Sequence, residues 1–273
     1  MLTILTAPLR AIIGFIALLT MIISAIVLYL VINNEKRRKH CIEICQRRLC
    51  GILLKCFHVQ IHYIGTPHPD AQILVANHIS WLDALLFMPA PKLRFIAKSQ
   101  VKHWPVIGLM AQLLGTVFIR RENKFQVYRS LPNAQRHIRQ GDNLVIFPEG
   151  TTTTGESTQT FRPMLFEVAK REHCLVQPVA IRYWDHKHQI SKNTPFIDDD
   201  GIFMSIVKLL FERRIHAHVH FIPVLNPNHY DRKQMAAISE QSIKLILQQP
   251  YITPTHSTQT HSSIKPHSSE IPS

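Results

Sequence analysis

The sequence predicts an α/β domain, with a central and mainly mixed β-sheet flanked by helices, preceded by an N-terminal membrane helix. Two observations predict it. From residue 57 onward, short apolar strand-like runs alternate with longer segments of helical periodicity, and one long uncharged apolar segment lies near the amino terminus. The 273 residues, 46% of them apolar, suffice for one domain of about 200 residues with extra segments. We expect a membrane-embedded segment at 1–34, a basic juxtamembrane helix at 35–56, the main domain at 57–251 and a disordered tail at 252–273.

The first element is the uncharged segment from Ala11 to Ile32. Its 22 residues, at a rise of about 1.5 Å each, span about 33 Å, enough for a hydrocarbon core of about 30 Å. The basic run that begins at Lys36 follows it, whereas only Arg10 precedes it, so the positive-inside rule places the main domain in the cytoplasm. A cleaved signal peptide is disfavoured by the length of the run and by the lack of a small-x-small cleavage site. A hydrophobic hairpin that dips into one leaflet stays open as an alternative.

The second element, from Arg37 to Cys56, has apolar residues at three- and four-residue steps and is rich in Arg and Lys. It predicts an amphipathic helix that either lies on anionic headgroups or packs on the domain, and both can hold. Four of the five cysteines lie in this helix, at spacings that do not match a zinc pattern. We expect all five to be reduced, apolar residues.

The remaining elements alternate between strands and helices. The predicted strands are Val59–Ile64, Ile73–Ala76, Leu93–Ala97, Thr116–Ile119, Leu144–Phe147, Val176–Arg182 and His218–Pro223. The predicted helices are Trp81–Phe87, Pro105–Leu114, Phe125–Gln140, Pro163–Glu172, Ile202–Arg213 and Arg232–Gln248. After Tyr251 the chain turns to Ser, Thr, His and Pro, a composition typical of a disordered tail.

A histidine and an aspartate five residues apart follow the strand that ends at Ala76. Because an imidazole titrates near neutrality, His78 can take a proton from an alcohol, and Asp83 can hold its ring in one tautomer. An isolated pair at this spacing is more often a helix cap and a surface charge. A second polar motif, Phe147–Thr151, follows another buried strand-like run, and ligands of α/β sheets gather at the carboxyl ends of strands. We therefore expect the two motifs to meet at one edge of the sheet.

Four blocks in this order make the chain resemble the glycerolipid acyltransferase family, whose best-known members acylate 1-acylglycerol-3-phosphate. The matches to N-H-x-x-x-x-D, G-x-x-F-I-x-R, F-P-E-G-T and V-x-P-V-A are Asn77, His78 and Asp83; Gly115, Phe118, Ile119 and Arg121; Phe147 to Thr151; and Val176, Pro178, Val179 and Ala180. The resemblance covers the domain from Asn77 to Ile181 and says less about the ends of the chain. It extends to relatives that acylate other lysolipids, including lyso-ornithine lipid.

The resemblance implies a mechanism. His78 accepts the proton of a lysolipid hydroxyl as that oxygen attacks an acyl thioester, which is acyl-CoA or an acyl-carrier-protein thioester; no cofactor is expected, and Asp83 orients His78. The oxyanion needs donors, for which the candidates are backbone N–H groups at the start of the helix after His78 or around Gly150. Glu149 is expected to be too acidic to serve as the main base and to help hold the acceptor. Gly150 allows the backbone a close approach.

Cations are expected to bind an anionic headgroup. The resemblance assigns this role to Arg121 and, on a weaker match, to Lys98. One departure stands in the third motif, where relatives that use lysophosphatidic acid have an arginine after F-P-E-G-T and this chain has Thr152 after Thr151. Thr151 and Thr152 are expected to contact the substrate. A threonine hydroxyl can donate one hydrogen bond but cannot replace the bidentate pair that arginine forms with phosphate, although Arg162 can supply the missing charge. We expect 1-acylglycerol-3-phosphate as acceptor, with lyso-ornithine lipid or another lysolipid as the alternative.

The charge balance of 31 Lys and Arg against 18 Asp and Glu indicates an anionic partner, either lipid or nucleic acid. The chain lacks a zinc-finger or RNP-like pattern, and the apolar segment favours lipid, so no nucleic acid is expected. We expect a membrane location, the bacterial inner membrane with the catalytic domain on its cytoplasmic side. The alternatives are a membrane-anchored basic binding protein and a thioesterase. His216, His218 and His220 alternate on one strand face, but they lack an acidic or cysteine partner nearby, and no metal site is expected.

Overall fold

The computed structural model describes residues 2–87, 90, 92–103, 108, 111–112, 115–119, 124–197 and 201–252. Its strands are β1 (Val59–Ile64), β2 (Ile73–Ala76), β3 (Leu93–Lys98), β4 (Val117–Ile119), β5 (Asn143–Ile146), β6 (Val176–Trp184) and β7 (Ile215–Phe221). Its helices are α1 (Leu2–Val31), α2 (Glu35–Cys56), α3 (Asp83–Phe87), α4 (Lys124–Arg139), α5 (Glu167–Glu172), α6 (Ile202–Phe211) and α7 (Arg232–Leu247), with short 3₁₀ turns at Ser99–His103 and Pro163–Phe166. Most of the predicted helix Pro105–Leu114 and the predicted tail lie outside the described residues.

The seven strands form one sheet in the order β1-β7-β6-β2-β5-β3-β4. All neighbouring strands run parallel except β6 and β7, which are antiparallel. The predicted mixed sheet is therefore confirmed. Parallel strands need helices on both faces, which explains why the central strands β2 and β6 are buried over their whole length.

Two buried clusters cover the two faces of the sheet. Side chains of α1, α2, α3 and α6, such as Leu54, Leu86 and Leu209, pack on one face. Side chains of α4, α5 and α7, such as Leu131 and Met235, pack on the other. The strand ends that follow β2 and β5 consequently open between helices rather than into the core.

The helices α1 and α2 pair as an antiparallel hairpin. At one end the Gly14 position lies against Leu53 and Cys56, and at the other the Arg38 guanidinium lies 4.6 Å from the centre of the Tyr29 ring. Within α1, the stretch Leu5–Val31 is long and apolar enough to cross a membrane by length and composition. Most of its large side chains are exposed, so the hairpin presents an apolar surface that the described part of the chain does not cover.

Candidate active site

The two polar motifs meet because β2 and β5 are parallel neighbours, with Val75 opposite Ile146. The chain leaves β2 at Asn77 and leaves β5 at Phe147, so both motifs emerge at the same edge of the sheet. This is the arrangement expected from the carboxyl ends of adjacent strands.

His78 and Asp83 form a hydrogen-bonded pair at this edge. The His78 Nδ1 lies 2.7 Å from Oδ2 of Asp83, and the side chain of His78 is 24% exposed whereas that of Asp83 is fully buried. A carboxylate can only accept, so Nδ1 carries the proton and Nε2 of the neutral ring is left as a base. Within the described part of the chain, Nε2 makes no hydrogen bond, which leaves it available to a substrate hydroxyl.

Four donors hold the Asp83 carboxylate. Besides His78, Oδ2 accepts from the backbone N–H of Ile79 at 2.7 Å and of Ser80 at 3.0 Å, while Oδ1 accepts from the Tyr183 hydroxyl at 2.8 Å. A buried charge is tolerated when its oxygens are satisfied in this way. Burial raises the pKa of Tyr183 well above its usual value, and the Asp83 charge adds to this, so the phenol stays protonated and donates.

The backbone of His78 is held by the second motif and by the loop that follows it. Its N–H donates to Oε1 of Glu149 at 2.8 Å, and its carbonyl accepts from the N–H of Thr153 at 2.8 Å. The imidazole also stacks on the ring of Phe147, with 4.1 Å between the ring centres. These contacts fix the position of the base before any substrate arrives, which is what proton transfer at hydrogen-bond distance requires.

Asn77 extends the sheet by one residue beyond the end of β2. Its side-chain Nδ2 donates to the carbonyl of Ile181 at 2.9 Å, and its Oδ1 accepts from the N–H of Ile181 at 2.7 Å. The side chain thus replaces the backbone pairing that β2 would have continued with β6. The chain is free to turn at this point, and His78 leaves the sheet in a fixed direction.

Glu149 is buried, being 3% exposed, and both carboxyl oxygens are engaged: Oε1 by His78 and Oε2 by the N–H of Gln159 at 2.9 Å. Burial raises the pKa of Glu149 to about 7. The reason expected for excluding Glu149 as the main base, that its carboxyl is too acidic, was therefore wrong. What separates Glu149 from a base role is that its oxygens already bind backbone amides, which leaves it to hold the two motifs together.

The cationic residues are placed unevenly. Gly150 has a φ of +79°, and a Cβ there would come within 2.9 Å of Cζ of Arg162, so the exposed Arg162 guanidinium lies directly against the second motif. Lys98 is exposed at the end of β3. Arg121 lies outside the described residues, two positions after the end of β4, and its role stays a prediction.

Thr151 and Thr152 differ in their surroundings. Thr151 is exposed, and its proposed substrate contact stays a prediction. The Thr152 hydroxyl donates to the carbonyl of Phe196, so its proton holds the loop in place instead of facing a headgroup. This contact disfavours the donor role predicted for Thr152.

Three of the N–H groups expected as oxyanion donors near the start of the helix after His78 are already in use. The N–H groups of Ile79 and Ser80 both point to Asp83, and that of Asp83 bonds the Ser80 carbonyl. Near Gly150, the glycine N–H makes a long 3.3 Å bond to Phe147, whereas the Thr151 N–H makes no hydrogen bond within the described ranges. The Trp81 N–H likewise makes no hydrogen bond among the described residues, so each of the two locations keeps a candidate donor.

Histidines form a second cluster, on the α7 side of the sheet. His62 Nε2 and His216 Nδ1 lie 3.1 Å apart, and the His218 ring lies 5.3 Å from that of His62. Burial lowers the pKa of His216 to about 4, of His218 to about 3 and of His220 to about 4. In the part of the chain that the structure describes, no group of three or more His, Cys, Asp and Glu side chains is arranged to hold a metal ion.

Sequence reasoning missed three residues that support the site. Tyr183 lies two residues after Ile181 along β6, so the two side chains share one face of the sheet, but nothing in the sequence indicates that the Tyr183 hydroxyl reaches Asp83. Phe147 was identified only as part of a motif, and its stacking on His78 gives it a separate role. Gln159 contributes through its backbone, which leaves no signal in the residue type.

Comparisons with known proteins agree with this geometry. Residues 59–182 match a family described as Acyltransferase. A lyso-ornithine lipid O-acyltransferase of Pseudomonas aeruginosa is 35% identical over 200 residues, covering 73% of this chain and 75% of the relative. The chain belongs to the acyltransferase family. A 1-acyl-sn-glycerol-3-phosphate acyltransferase of Neisseria meningitidis is 30% identical to this acyltransferase over 190 residues, 67% of this chain and 73% of the relative.

A solved structure has the same fold. The 1-acyl-sn-glycerophosphate (LPA) acyltransferase from Thermotoga maritima superposes with a TM-score of 0.60 at 18% identity, covering 87% of this acyltransferase and 96% of that chain. The family match and the two sequence relatives show that the chain is an enzyme, an acyltransferase of the lysophospholipid type. Its apolar N-terminal helix and its lipid-acylating relatives together indicate a membrane protein.

Proposed function

We propose that this enzyme transfers a fatty acyl group from an acyl thioester to the free hydroxyl of a lysolipid, with His78 as general base. The observation that carries the proposal is the fixed His78–Asp83 pair, which presents one unprotonated ring nitrogen beside a partly open strand edge. The donor is acyl-CoA or an acyl-carrier-protein thioester, and no nucleophilic side chain of the enzyme takes part.

The steps follow from the site. Nε2 of His78 accepts the proton as the lysolipid oxygen attacks the thioester carbonyl, and the imidazolium that forms is stabilised by Asp83. The negative charge that develops on the thioester oxygen is stabilised by the free backbone N–H of Thr151. When the tetrahedral intermediate collapses, the thiolate leaves and His78 returns the proton to it, so the base is regenerated.

We propose lyso-ornithine lipid as the preferred acceptor. Two observations support it over the expectation from the motifs alone. Thr152 replaces the arginine of lysophosphatidic acid users, and its hydroxyl is committed to Phe196. The Pseudomonas aeruginosa relative, which is 35% identical, is a lyso-ornithine lipid O-acyltransferase. An ornithine headgroup carries a carboxylate and an ammonium, so it needs less cationic neutralisation than a phosphomonoester, and Arg162 beside Gly150 can take the carboxylate.

The second candidate acceptor is 1-acylglycerol-3-phosphate. It is supported by the 30% identity to the Neisseria meningitidis enzyme and by the matched Gly115-x-x-Phe118-Ile119-x-Arg121 block. An assay of purified membranes with both thioester donors and both lysolipids separates the two. Transfer to lipid supports the proposal and its rate identifies the acceptor. Release of free fatty acid alone would indicate a thioesterase. The absence of both acylated lipid and free fatty acid would indicate a binding protein without catalysis.

We further propose that α1 lies within one leaflet, the cytoplasmic one, rather than crossing the bilayer. The reason is the pairing of α1 with α2, which runs from Gly14 and Cys56 to Tyr29 and Arg38. If α1 crossed, α2 would enter the hydrocarbon with its many Arg and Lys side chains, at about 2.5–3.5 kcal/mol for each charge. In a leaflet, α1 buries its exposed apolar side while the charges of α2 reach the headgroups.

A further inference from the structure

The helix α6 is almost wholly apolar but is buried on only one side. Its sequence, from Ile202 to Phe211, contains a single charge, Lys208. The inward side carries the buried Ser205, Leu209 and Leu210. The outward side exposes Phe203 by 72%, Met204 by 54% and Phe211 by 50%.

These three side chains form one face. At about 100° per residue they fall within an arc of about 100°, opposite the buried Ser205 and Leu209, with the buried Leu210 at one edge of the arc. A helix that is apolar all round is normally covered by protein or by lipid. Contiguous exposed apolar patches of this kind mark interaction surfaces. At ten residues, or about 15 Å, α6 is too short to cross a bilayer.

The outward face of α6 adjoins the exposed apolar side of α1. The Arg10 guanidinium of α1 donates to the carbonyl of Leu210 at 2.5 Å and to that of Cys56 at 2.7 Å. Leu9, which precedes Arg10, is 59% exposed, and Phe211, which follows Leu210, is 50% exposed. Two cations, Arg213 and Arg214, are exposed directly after the helix, where they can meet anionic headgroups.

The inward side of α6 contacts the catalytic loop. Ser205 Oγ accepts from the Trp81 indole N–H at 3.0 Å, and Trp81 lies between His78 and Asp83 in the first motif. The segment that leads into α6 is tied to the same loop, because the Phe196 N–H donates to the Ile79 carbonyl at 2.9 Å. The helix therefore combines an exposed apolar outer face with a direct contact to the loop that carries His78.

We propose that the outward face of α6, formed by Phe203, Met204 and Phe211, is a second membrane-contacting surface that enters the same leaflet as α1 beside the active site. The inference rests on the proposed placement of α1 in one leaflet. The bilayer is the occupant because the face continues the apolar surface of α1 and is followed by exposed cations. With both helices in the leaflet, the His78 loop is held at the lipid surface, and a lysolipid can present its hydroxyl without leaving the bilayer.

Tryptophan fluorescence in vesicles tests this surface. The full-length protein is reconstituted with phosphatidylglycerol vesicles whose acyl chains are brominated, and the signal of its three native tryptophans is subtracted. Three variants are compared: Phe203→Trp on α6, Phe15→Trp on α1 and Leu245→Trp on α7. Leu245 is a matched control because it is 58% exposed but belongs to a helix that packs on the opposite face of the sheet. We expect Phe203→Trp to be quenched as strongly as Phe15→Trp and several-fold more than Leu245→Trp.

The outcomes separate the inference from its premise. If Phe15→Trp is quenched and Phe203→Trp behaves like Leu245→Trp, the lipid contact of α6 is overturned while the membrane contact of α1 stands. A blue-shifted but unquenched Phe203→Trp would indicate a protein partner and overturns it as well. If Phe15→Trp is not quenched, the placement of α1 fails.

Activity provides a second readout. The double variant Phe203→Ser, Phe211→Ser should lose about tenfold in turnover of vesicle-embedded lysolipid, which corresponds to about 1.4 kcal/mol. Its turnover of a short-chain lysolipid dispersed as monomers should stay unchanged. An equal loss on both acceptors would indicate that the face supports the fold, and would contradict the proposal.

Discussion

The Tyr183 hydroxyl donates to Oδ1 of Asp83 at 2.8 Å, on the carboxylate oxygen that does not hold His78. The two residues are 100 positions apart in the chain, and β6 brings them together. His78, Asp83 and Tyr183 therefore form a triad of side chains. The neutral phenol of Tyr183 donates a further hydrogen bond to the buried carboxylate of Asp83.

Replacing Tyr183 by phenylalanine should lower kcat by about tenfold and leave both KM values nearly unchanged. Without this donor the negative charge of Asp83 is less dispersed, so it favours the imidazolium more strongly, and the acid limb of the pH–rate profile should move to higher pH. Tyr63→Phe is the matched control, since that partly buried hydroxyl donates to the Leu86 carbonyl at 2.8 Å beside the same core. It should cost comparable stability, about 1 kcal/mol, without moving the acid limb.

Substitutions in the catalytic pair should abolish most of the turnover. Asp83→Asn keeps the shape of the side chain but offers an amide N–H, which favours the wrong tautomer of His78, so we expect a loss of about 10³–10⁴ in kcat. His78→Ala should lose about 10²–10⁴. Circular dichroism and membrane fractionation check that both variants are folded and membrane-bound. Activity within tenfold of the wild type in either variant would refute the assignment of the base.

Glu149→Gln should destabilise the enzyme and change how its stability depends on pH. Glutamine has one acceptor oxygen where the carboxylate uses two, so the His78 or the Gln159 N–H loses its partner, at about 1–3 kcal/mol. Burial raises the pKa of Glu149 from 4.5 to about 7, so its contribution is fully present below pH 4.5 and is lost as the pH rises through 7. Thermal unfolding from pH 5 to 8 should show a smaller loss in the variant than in the wild type. The exposed Glu156→Gln is the control.

Thr152→Arg should move acceptor preference toward a phosphomonoester. The new guanidinium can form a charge-assisted pair with phosphate that threonine cannot form. We expect kcat/KM for 1-acylglycerol-3-phosphate to rise relative to lyso-ornithine lipid by at least tenfold, measured in competition on one membrane preparation. Thr152→Lys tests whether charge alone suffices, and Thr152→Ala reports the loss of the Phe196 contact. A ratio that is unchanged in the arginine variant would argue against headgroup selection at this position.

The histidine cluster should make the fold sensitive to acid. The pKa values of His216, His218 and His220 are lowered by burial to about 4, 3 and 4, below the ordinary 6.5. Their contribution is present above pH 6.5 and is lost as the pH falls toward 3, because the unfolded chain takes up protons first. His62 and the Arg182 guanidinium oppose protonation of His218, whereas Asp185 favours that of His216. The double variant His216→Gln, His218→Gln should lose less melting temperature between pH 7 and 5 than the wild type, and an equal loss would contradict this.

Sequence periodicity located most elements because apolar patterns were clear. The bounds of β1 and β2 match the prediction to the residue. In contrast, β7 begins at Ile215, three residues before the predicted start, because buried histidines there look polar. Similarly, β6 continues to Trp184, two residues beyond the prediction, since its last residues pair with the antiparallel β7. Both errors arise where burial and pairing come from distant strands.

The site was predicted in its motifs and missed in its connections. His78, Asp83 and Glu149 were identifiable because each follows a strand end in a block of known spacing. Which backbone amides remain available for an oxyanion was not, since it depends on Asp83 binding the Ile79 and Ser80 N–H groups. Hydrogen-bond partners are set by three-dimensional proximity, which residue spacing alone does not encode.

The backbone N–H of His78 donates to Glu149, and its carbonyl accepts from the N–H of Thr153. The two motifs therefore fix each other's position, although 71 residues separate His78 from Glu149. Anyone who exchanges segments between this enzyme and a relative, to transplant headgroup choice for example, should move both stretches together. A chimera that carries only one would keep every reactive atom and still misplace the base.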